Sequence, residues 1–277
     1  MNFKIVFIII YLFFSIAAKG QNNRLQIDYA NNLYNSGQFF DAITEYKRLL
    51  FFDSSSTIKY QVNYKIAACY KGGGKFDEAI KYFSVACANT ADDEEQFDAK
   101  VQIIRSNILR KTTDRALLLC DEIDKDPRFK YKTDKTNYWR GWAYMFDDDW
   151  KNAAKMFDKI SYNHELKKLA EQTDRAKVSV TFAKVISYIL PGAGSIYAGR
   201  VLSGFMSIGW NVLAGYWTIN AFNAGRVFDG IVVGELVWLR FYRGSIQNAG
   251  DFAIEKNLEI ANKTLRFLQN EYTGIKP

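Results

Sequence analysis

A single histidine, His164, carries the only imidazole in the 277-residue sequence. That count excludes zinc sites built from several histidines, and it leaves one candidate base for any serine or cysteine nucleophile. His164 follows the last part of a repetitive region, where a surface or helix-capping role is typical. No nucleophile, base and orienting residue can be assembled around it. We therefore predict no enzymatic activity, no catalytic residue, no cofactor and no metal site.

Three cysteines occur, at Cys69, Cys87 and Cys120. An odd number without C-x-x-C spacing fits neither a disulfide framework nor a zinc knuckle. Each cysteine stands in a run of apolar residues at helical spacing. We expect all three to pack as small apolar side chains in a protein core.

Two other kinds of motif could suggest ligand chemistry. The Gly72–Gly74 run lacks the Lys-Ser/Thr pair of a phosphate-binding loop, so it predicts a loop between helices. The acidic runs Asp92–Glu95 and Asp147–Asp149 lack the alternating spacing of a calcium loop. The first is typical of a helix start, where negative charge is favourable, and the second of a solvated turn.

Composition favours a folded helical protein over a nucleic-acid binder. Hydrophobic residues make up 48% of the chain, which excludes a disordered polymer. The formal net charge is +7, but no cluster of lysine and arginine is interleaved with aromatic residues. We expect neither nucleic acid nor a small-molecule substrate as a partner.

The first twenty residues have the pattern of an export signal. Lys4 is followed by an apolar run from Ile5 to Ala17, and Ala18 and Gly20 supply small residues before a cleavage site at Gln21. Residues 1–20 are therefore predicted to be a signal peptide. A retained membrane anchor is the alternative. Cleavage makes export the default, so we predict the cell envelope as the location, with the following domain in the periplasm.

A repeat with a constant period follows the signal. Its markers are alanines 37 residues apart, at positions Ala42, Ala79, Ala116 and Ala153. An aromatic residue stands three positions before three of these alanines. A small residue at the start of a second helix lets two helices approach closely, and such hairpins must stack to bury their apolar faces.

The repeat resembles the tetratricopeptide repeat (TPR) in the fragments Leu33–Ile43 and Tyr70–Ile80, and in Gly141–Tyr144 followed by Trp150–Ala154. The resemblance covers about half of the chain and implies about four helical hairpins over residues 22–172. The period is longer than the usual TPR length of about 34 residues, and the unit at Ala116 lacks the aromatic residue.

The TPR resemblance also implies a groove that binds partner proteins through the first helix of each hairpin. A cluster of aromatic residues around Tyr138 is the richest candidate anchor for a bound peptide. The candidate groove residues are Asn31, Tyr64, Lys65, Arg105, Tyr138 and Trp142.

Residues 178–249 differ from the repeats because charged side chains become sparse. Val201–Ala224 contains no charge and exceeds the roughly 20 residues that cross a bilayer. We predict two or three membrane-embedded helices, with a tight hairpin around Arg226. Glu235 would be costly in lipid, so we expect it to pair with Arg200, Arg240 or Arg243, or to lie near a water-filled face.

A distinctive turn lies within this region. Leu190-Pro191-Gly192-Ala193-Gly194, followed by Tyr197-Ala198-Gly199-Arg200, resembles a signature of small bacterial two-transmembrane (TM-two-like) domains and of exported bacterial TPR proteins. The resemblance implies an architecture rather than an activity. The candidate residues of this domain are Pro191, Gly192, Gly194, Tyr197, Gly199, Arg200, Asn211, Glu235 and Arg240.

Residues 250–277 return to mixed charge and form a predicted amphipathic helix. The complete expectation is an all-α envelope protein in which a membrane domain tethers a TPR adaptor, with other proteins and the lipid bilayer as partners. Two alternatives remain open. One is a component of a membrane transport, insertion or secretion assembly, with Glu235, Arg240 and Asn211 along a path. The other is a soluble repeat protein whose apolar hairpin is buried internally.

Overall fold

The computed structural model describes residues 23–52 and 58–277, and every regular element in these ranges is a helix. The predicted all-α class is therefore confirmed for this part of the chain. The predicted signal peptide, residues 1–20, lies outside the described residues. The chain divides into two compact units: the first extends to Tyr162 and includes Pro277, and the second is Asn163–Lys276.

Within its described residues, the first unit is a series of four helical hairpins in which each helix packs against the next. A short 3₁₀ helix, Pro127–Lys132, precedes the fourth hairpin. The helices are α1 (Asn23–Asn35), α2 (Phe39–Phe52), α3 (Lys59–Gly72), α4 (Phe76–Ala88), α5 (Asp93–Leu109), α6 (Thr113–Lys125), α7 (Thr133–Phe146) and α8 (Trp150–Ile160).

The predicted alanine period corresponds to the start of the second helix in each hairpin. Ala42, Ala79, Ala116 and Ala153 are all fully buried. The third hairpin thus forms although an aromatic residue is missing before Ala116. Its small alanine is buried and permits close contact between the two helices.

The four hairpin turns share one backbone geometry at the same 37-residue period. The residue with positive φ is Gly37, Gly74, Lys111 and Asp148 in turn. In each turn the next amide donates to a carbonyl five residues earlier, as in Gln38 N to Leu33 O at 2.9 Å and Thr112 N to Asn107 O at 2.9 Å. This bond satisfies a carbonyl at the end of the first helix.

Three sequence motifs that could suggest ligand chemistry have structural roles. Asp92 Oδ1 accepts a hydrogen bond from Glu95 N at 2.9 Å at the start of α5. Asp149 Oδ1 accepts from Asn152 N at 3.0 Å at the start of α8. The Gly72–Gly74 run joins α3 to α4. The predictions of a helix start, a turn and a loop are confirmed.

The second unit contains two short helices between longer ones. A π-helical segment, Gly234–Trp238, joins its last two α-helices. Its helices are α9 (Glu165–Ala176), α10 (Val180–Ile189), α11 (Ala193–Tyr197), α12 (Val201–Asn223), α13 (Val227–Val233) and α14 (Leu239–Asn270). The amphipathic helix expected to begin at residue 250 is part of α14, which is continuous from residue 239.

The hairpin predicted around Arg226 is present. Gly225 has a φ of 72°, and Arg226 N donates to Ala221 O at 2.9 Å, so the chain reverses directly after α12. A Cβ on Gly230 would lie 2.9 Å from the Phe222 ring, and one on Gly234 would lie 3.2 Å from the Thr218 methyl group. Small residues on the returning helix therefore allow the close contact with α12.

No helix in the described ranges has both the length and the apolar character needed to cross a membrane. The expectation of two or three membrane-spanning helices is not supported. The physical reason lies in α12, where Asn211, Asn220 and several glycines, serines and tryptophans interrupt the aliphatic residues. The absence of charge from a segment did not by itself make it apolar enough.

Candidate functional site

Three of the predicted groove residues line one cavity of about 480 Å³ between α1, α3 and α5. Asn31 accepts a hydrogen bond from the Tyr46 hydroxyl at 2.6 Å, which fixes its amide at the cavity wall. The Lys65 ammonium lies 5.6 Å from the centre of the Tyr34 ring. We call this space the acidic cavity because of its two carboxylates; the residues that define it are Asn31, Tyr60, Tyr64, Lys65, Glu95 and Asp98.

A second cavity of about 560 Å³ brings Arg105 together with Tyr64. Pro277 also lines it. The guanidinium of Arg105 lies 4.8 Å from the centre of the Trp139 ring, and burial lowers its pKa. We call this space the basic cavity; the residues that define it are Tyr34, Tyr64, Lys71, Phe83, Gln102 and Arg105.

Lys71 belongs to the basic cavity although the sequence analysis did not select it. Its ammonium donates to Gln102 Oε1 at 3.2 Å, so its hydrogen-bond partner is a neutral amide. Burial and the nearby charge of Arg105 lower the pKa of Lys71 to about 7. The signal was available in the spacing of Tyr64 and Lys71, which are seven residues apart on one face of α3.

Tyr64 contributes to both cavities. Its ring makes an edge contact with Phe83 at 5.1 Å between centres and lies 5.7 Å from the Tyr60 ring. Burial is the main reason that its pKa is raised. Since one side chain lines both spaces, the acidic and basic cavities adjoin.

Trp142 is not a groove residue, and that prediction is wrong. Only 2% of its surface is exposed. Trp142 packs 6.5 Å from the Tyr138 ring and 6.2 Å from the Phe146 ring, inside the fourth hairpin. The TPR spacing indicated the correct helix but not the side of that helix.

Tyr138 is half-buried and makes edge contacts with Trp139 and Phe157 at 5.1 and 5.9 Å. Its hydroxyl is close enough to influence the pKa of Arg105. Of the six predicted groove residues, the two cavities therefore bring together Asn31, Tyr64, Lys65 and Arg105, and Tyr138 lies beside the last of these.

His164 caps a helix, as the sequence suggested. Its Nδ1 accepts a hydrogen bond from Leu166 N at 3.2 Å at the start of α9. Burial lowers the pKa of this imidazole, which favours the neutral form that can accept. Cys69 and Cys120 are buried, and burial raises the pKa of both thiols to about 12, so they act as core residues.

The glycine-rich motif of the second unit forms a close-packed turn after α10, beginning at Pro191. Gly192 has a φ of 99°, and a Cβ there would collide with the carbonyl of Gly204. Gly194 N donates to Ser187 Oγ at 3.0 Å, and Gly194 has no room for a side chain. Gly199, with a φ of 86°, turns the chain into α12.

Two polar side chains of the motif hold neighbouring elements in place. The Tyr197 hydroxyl accepts from Ser179 N at 3.1 Å. Arg200 pairs with Glu255 at 2.7 Å and lies 3.6 Å from Glu259. These contacts give the motif a structural role in positioning α10, α12 and α14.

Of the two arrangements expected for Glu235, the structure does not show the pairing with an arginine. Glu235 and Arg240 are both exposed, and the carboxylate of Glu235 forms no ion pair among residues 23–52 and 58–277. Arg200 instead pairs with glutamates of α14. Exposure removes the need for a partner, because a solvated carboxylate has no desolvation cost to offset. Asn211 is buried, with its Oδ1 lacking a hydrogen-bond partner, so it does not share a surface with the other two.

Helix α12 has an inverted pattern of burial. The side chains it buries are small or polar: Gly204, Asn211, Ala214, Gly215, Thr218 and Ala221. Those it exposes are large and apolar, among them Leu202 at 75%, Phe205 at 62% and Val212 at 67%. This exposure contradicts the alternative of an internally buried hairpin.

The exposed apolar surface continues beyond α12. We define the apolar surface as the exposed side chains Leu202, Phe205, Met206, Val212, Tyr216, Ile219, Phe222, Phe228, Ile231 and Leu236. Large exposed apolar areas mark interaction sites on proteins.

A family comparison matches residues 61–89 to the tetratricopeptide repeat. The matched segment covers most of α3, the turn and the whole of α4, so it coincides with the second hairpin. Proteins built from this repeat are generally non-enzymatic interaction modules. A search among curated proteins found no match.

Proposed function

We propose that the protein is a non-catalytic adaptor that binds a segment of a partner protein along the first helices of its hairpins. The observation that carries the proposal is the pair of adjoining cavities at Tyr64. Their walls combine aromatic rings with a few polar groups, as peptide-binding grooves do. The tetratricopeptide match in the same hairpin supports this function.

The test is affinity capture with the full chain and a groove variant. Lys65→Trp places a bulky ring at the mouth of the acidic cavity, whereas Lys81→Trp makes the same change at an exposed lysine on α4 that lines neither cavity. A specific partner should be recovered in stoichiometric amounts with the Lys81 variant and lost with the Lys65 variant. Equal recovery by both variants would refute the groove.

The proposal extends to how the adaptor is held in place. The inverted burial of α12 is the arrangement of helices whose surroundings are lipid, because only an apolar environment favours exposure of large apolar side chains. Arg226 lies at the turn of the hairpin and Arg240 and Arg243 follow it, and basic side chains favour anionic headgroups. The apolar surface thus tethers the adaptor to a membrane.

The export pattern of residues 1–20 supports the compartment that we propose. The adaptor resides in the cell envelope, with its repeat unit on the periplasmic side of the membrane. Tethering to a surface raises the effective concentration of the groove near membrane-bound partners.

Labelling of introduced cysteines tests the compartment. In a Cys87→Ser background, the exposed positions Tyr162→Cys and Val227→Cys are treated with a membrane-impermeant maleimide in intact cells. Label at residue 162, with residue 227 protected until detergent is added, is the expected result. Label at residue 162 only after cell lysis would contradict export.

A further inference from the structure

The two cavities carry opposite charges at the two ends of one helix face. Glu95 and Asp98 lie in the acidic cavity, and Gln102 and Arg105 follow them on α5 in the basic cavity. Their spacing of three or four residues places all four side chains on one side of the helix. A segment lying along α5 would therefore meet negative charge first and positive charge next.

The basic cavity is built to receive an anion. Lys71 on α3 and Arg105 on α5 line the same recess, and the charge of Arg105 adds to burial in lowering the pKa of Lys71. The Lys71 ammonium is bonded to an amide oxygen, and the Arg105 guanidinium stacks on the Trp139 ring. Two cations held together in a recess gain stability when a carboxylate enters, since it offsets their repulsion and supplies charge-assisted hydrogen bonds.

The acidic cavity is built to receive a cation. Asp98 is exposed, and Glu95 is half-buried beside the Tyr60 ring, whose hydroxyl donates to the Glu95 carbonyl at 3.1 Å. Lys65 lines the same space, but its ammonium lies over the Tyr34 ring. Two carboxylates opposite one lysine leave this end with net negative charge.

The spacing along α5 defines the partner. Asp98 and Arg105 are seven residues apart, which is about 10 Å along a helix axis at roughly 1.5 Å per residue. An extended peptide covers that distance in about three residues at roughly 3.3 Å each. We propose that the groove recognises an extended peptide whose acidic side chain binds Lys71 and Arg105 and whose basic side chain, three residues away, binds Glu95 and Asp98.

This inference rests on the proposed function, because it names the chemistry of the segment that the groove binds. The test is selection of a random-peptide display library on the full chain. Fluorescence-polarisation titrations then compare the selected peptides on wild type, Lys71→Met, Asp98→Asn and the control Lys81→Met. A chain lacking Pro277 is titrated in parallel, because Pro277 lines the basic cavity and would compete with the peptide for it.

The expected result is enrichment of peptides with an acidic and a basic residue three positions apart. Lys71→Met and Asp98→Asn should each weaken binding at least tenfold, and Lys81→Met should leave it unchanged. Replacing the peptide's acidic residue with its amide should weaken binding to wild type, and it should weaken binding to Lys71→Met by a smaller factor, because only Arg105 then remains to bind the acid.

Two results would overturn the inference in different ways. Tight peptides without the charge pair, or peptides indifferent to Lys71→Met and Asp98→Asn, would refute the charge pattern and leave the peptide groove intact. Failure to select any peptide that binds a folded chain would refute both. Thermal melts monitor folding, and Lys71→Met should fold because it replaces a half-buried cation with an apolar side chain of similar length.

Discussion

At the scale of single residues, Lys111 and Asp148 adopt the left-handed conformation that Gly37 and Gly74 adopt in the other two turns. A side chain makes this conformation costly, and glycine removes the cost. The period, rather than the residue type, therefore determines the turn. The alanine period places Lys111 and Asp148 in register with the two glycines, but only the structure shows that these two residues adopt the same conformation.

We expect Lys111→Gly to stabilise the protein by about 0.5–1 kcal/mol, because it relieves the left-handed strain at the third turn. Urea denaturation followed by circular dichroism measures the change. Gly74→Ala is the reverse substitution at an equivalent turn, and it should destabilise the protein. No atom lies within 4 Å of a Cβ placed there, so the loss of stability comes from the backbone alone. If Lys111→Gly proves less stable than wild type, the turns do not share a common geometry.

Lys71 makes stability depend on pH. Its pKa of about 7 in the folded protein is below its ordinary value of 10.5, so the unfolded chain binds more protons between these values. The cost in stability of burying the charged ammonium is therefore complete below pH 7, and it disappears as the pH rises towards 10.5. Lys71→Met should be more stable than wild type by about 1–2 kcal/mol at pH 6.5, with the difference shrinking by pH 10.

Denaturation of both proteins across this pH range measures that difference directly. Comparison with wild type removes the contributions of tyrosines and cysteines that titrate at high pH in both proteins. A difference that stays constant from pH 6.5 to pH 10 would show that Lys71 is not held in a desolvated site.

The incorrect prediction for Trp142 has a simple physical cause. Periodicity locates a residue on a helix but cannot separate the groove side from the side that packs on the next helix when both carry aromatic residues. Lys71 shows the converse. A lysine adjacent to a glycine run looks like a solvated helix end, and only the approach of α5 makes it part of a recess.

At the scale of elements, a glycine allows the two helices of the fourth hairpin to pack closely. In the fourth hairpin, a Cβ on Gly141 would lie 2.6 Å from the ring of Phe157, and that ring is fully buried. The ring has no space into which it can move. The contact explains why a glycine is tolerated in the interior of α7.

Gly141→Ala should destabilise the first unit by about 1–3 kcal/mol, because overpacking outweighs the improved helix propensity. Chemical denaturation measures the loss. Gly244→Ala is the control: this glycine also lies inside a helix, but no atom lies within 4 Å of its Cβ, so it should gain about 0.5–1 kcal/mol. Equal effects at both positions would argue against the close contact.

The elements themselves could be predicted well where the sequence repeats. The alanine period located all four second helices of the described hairpins, including the third, because buried small residues are a direct record of helix contact. Helix α12 could be delimited for a similar reason, since it is uncharged between Arg200 and Arg226. Its inverted burial could not be predicted, because composition does not show which side chains a helix hides.

At the scale of the whole molecule, we expect the apolar surface to bind lipid, and Leu202 and Phe205 to contribute to that binding. Leu202→Ser with Phe205→Ser removes two large exposed groups from α12, so folding should be unaffected. We expect this variant to lose at least half of its flotation with vesicles of mixed neutral and anionic lipids, because buried apolar area drives such binding.

Phe40→Ser is the matched control for the lipid experiment. Phe40 is exposed to the same extent as Phe205, at 61% and 62%, but it lies on α2 in the repeat unit. If flotation falls equally in both variants, the binding is non-specific hydrophobic adsorption rather than attachment through the apolar surface. Undiminished flotation of the α12 variant would contradict the role of the apolar surface.

The common geometry of the hairpin turns has a consequence for how the repeat unit could change its length. The four turns are structurally equivalent at Gly37, Gly74, Lys111 and Asp148. Each has a positive φ and the same hydrogen bond from the next amide to a carbonyl of the preceding helix. Deleting or inserting the 37 residues between two equivalent turns would therefore keep the helical register of the chain. The number of hairpins, and with it the length of the binding surface, can vary while every remaining turn keeps its conformation.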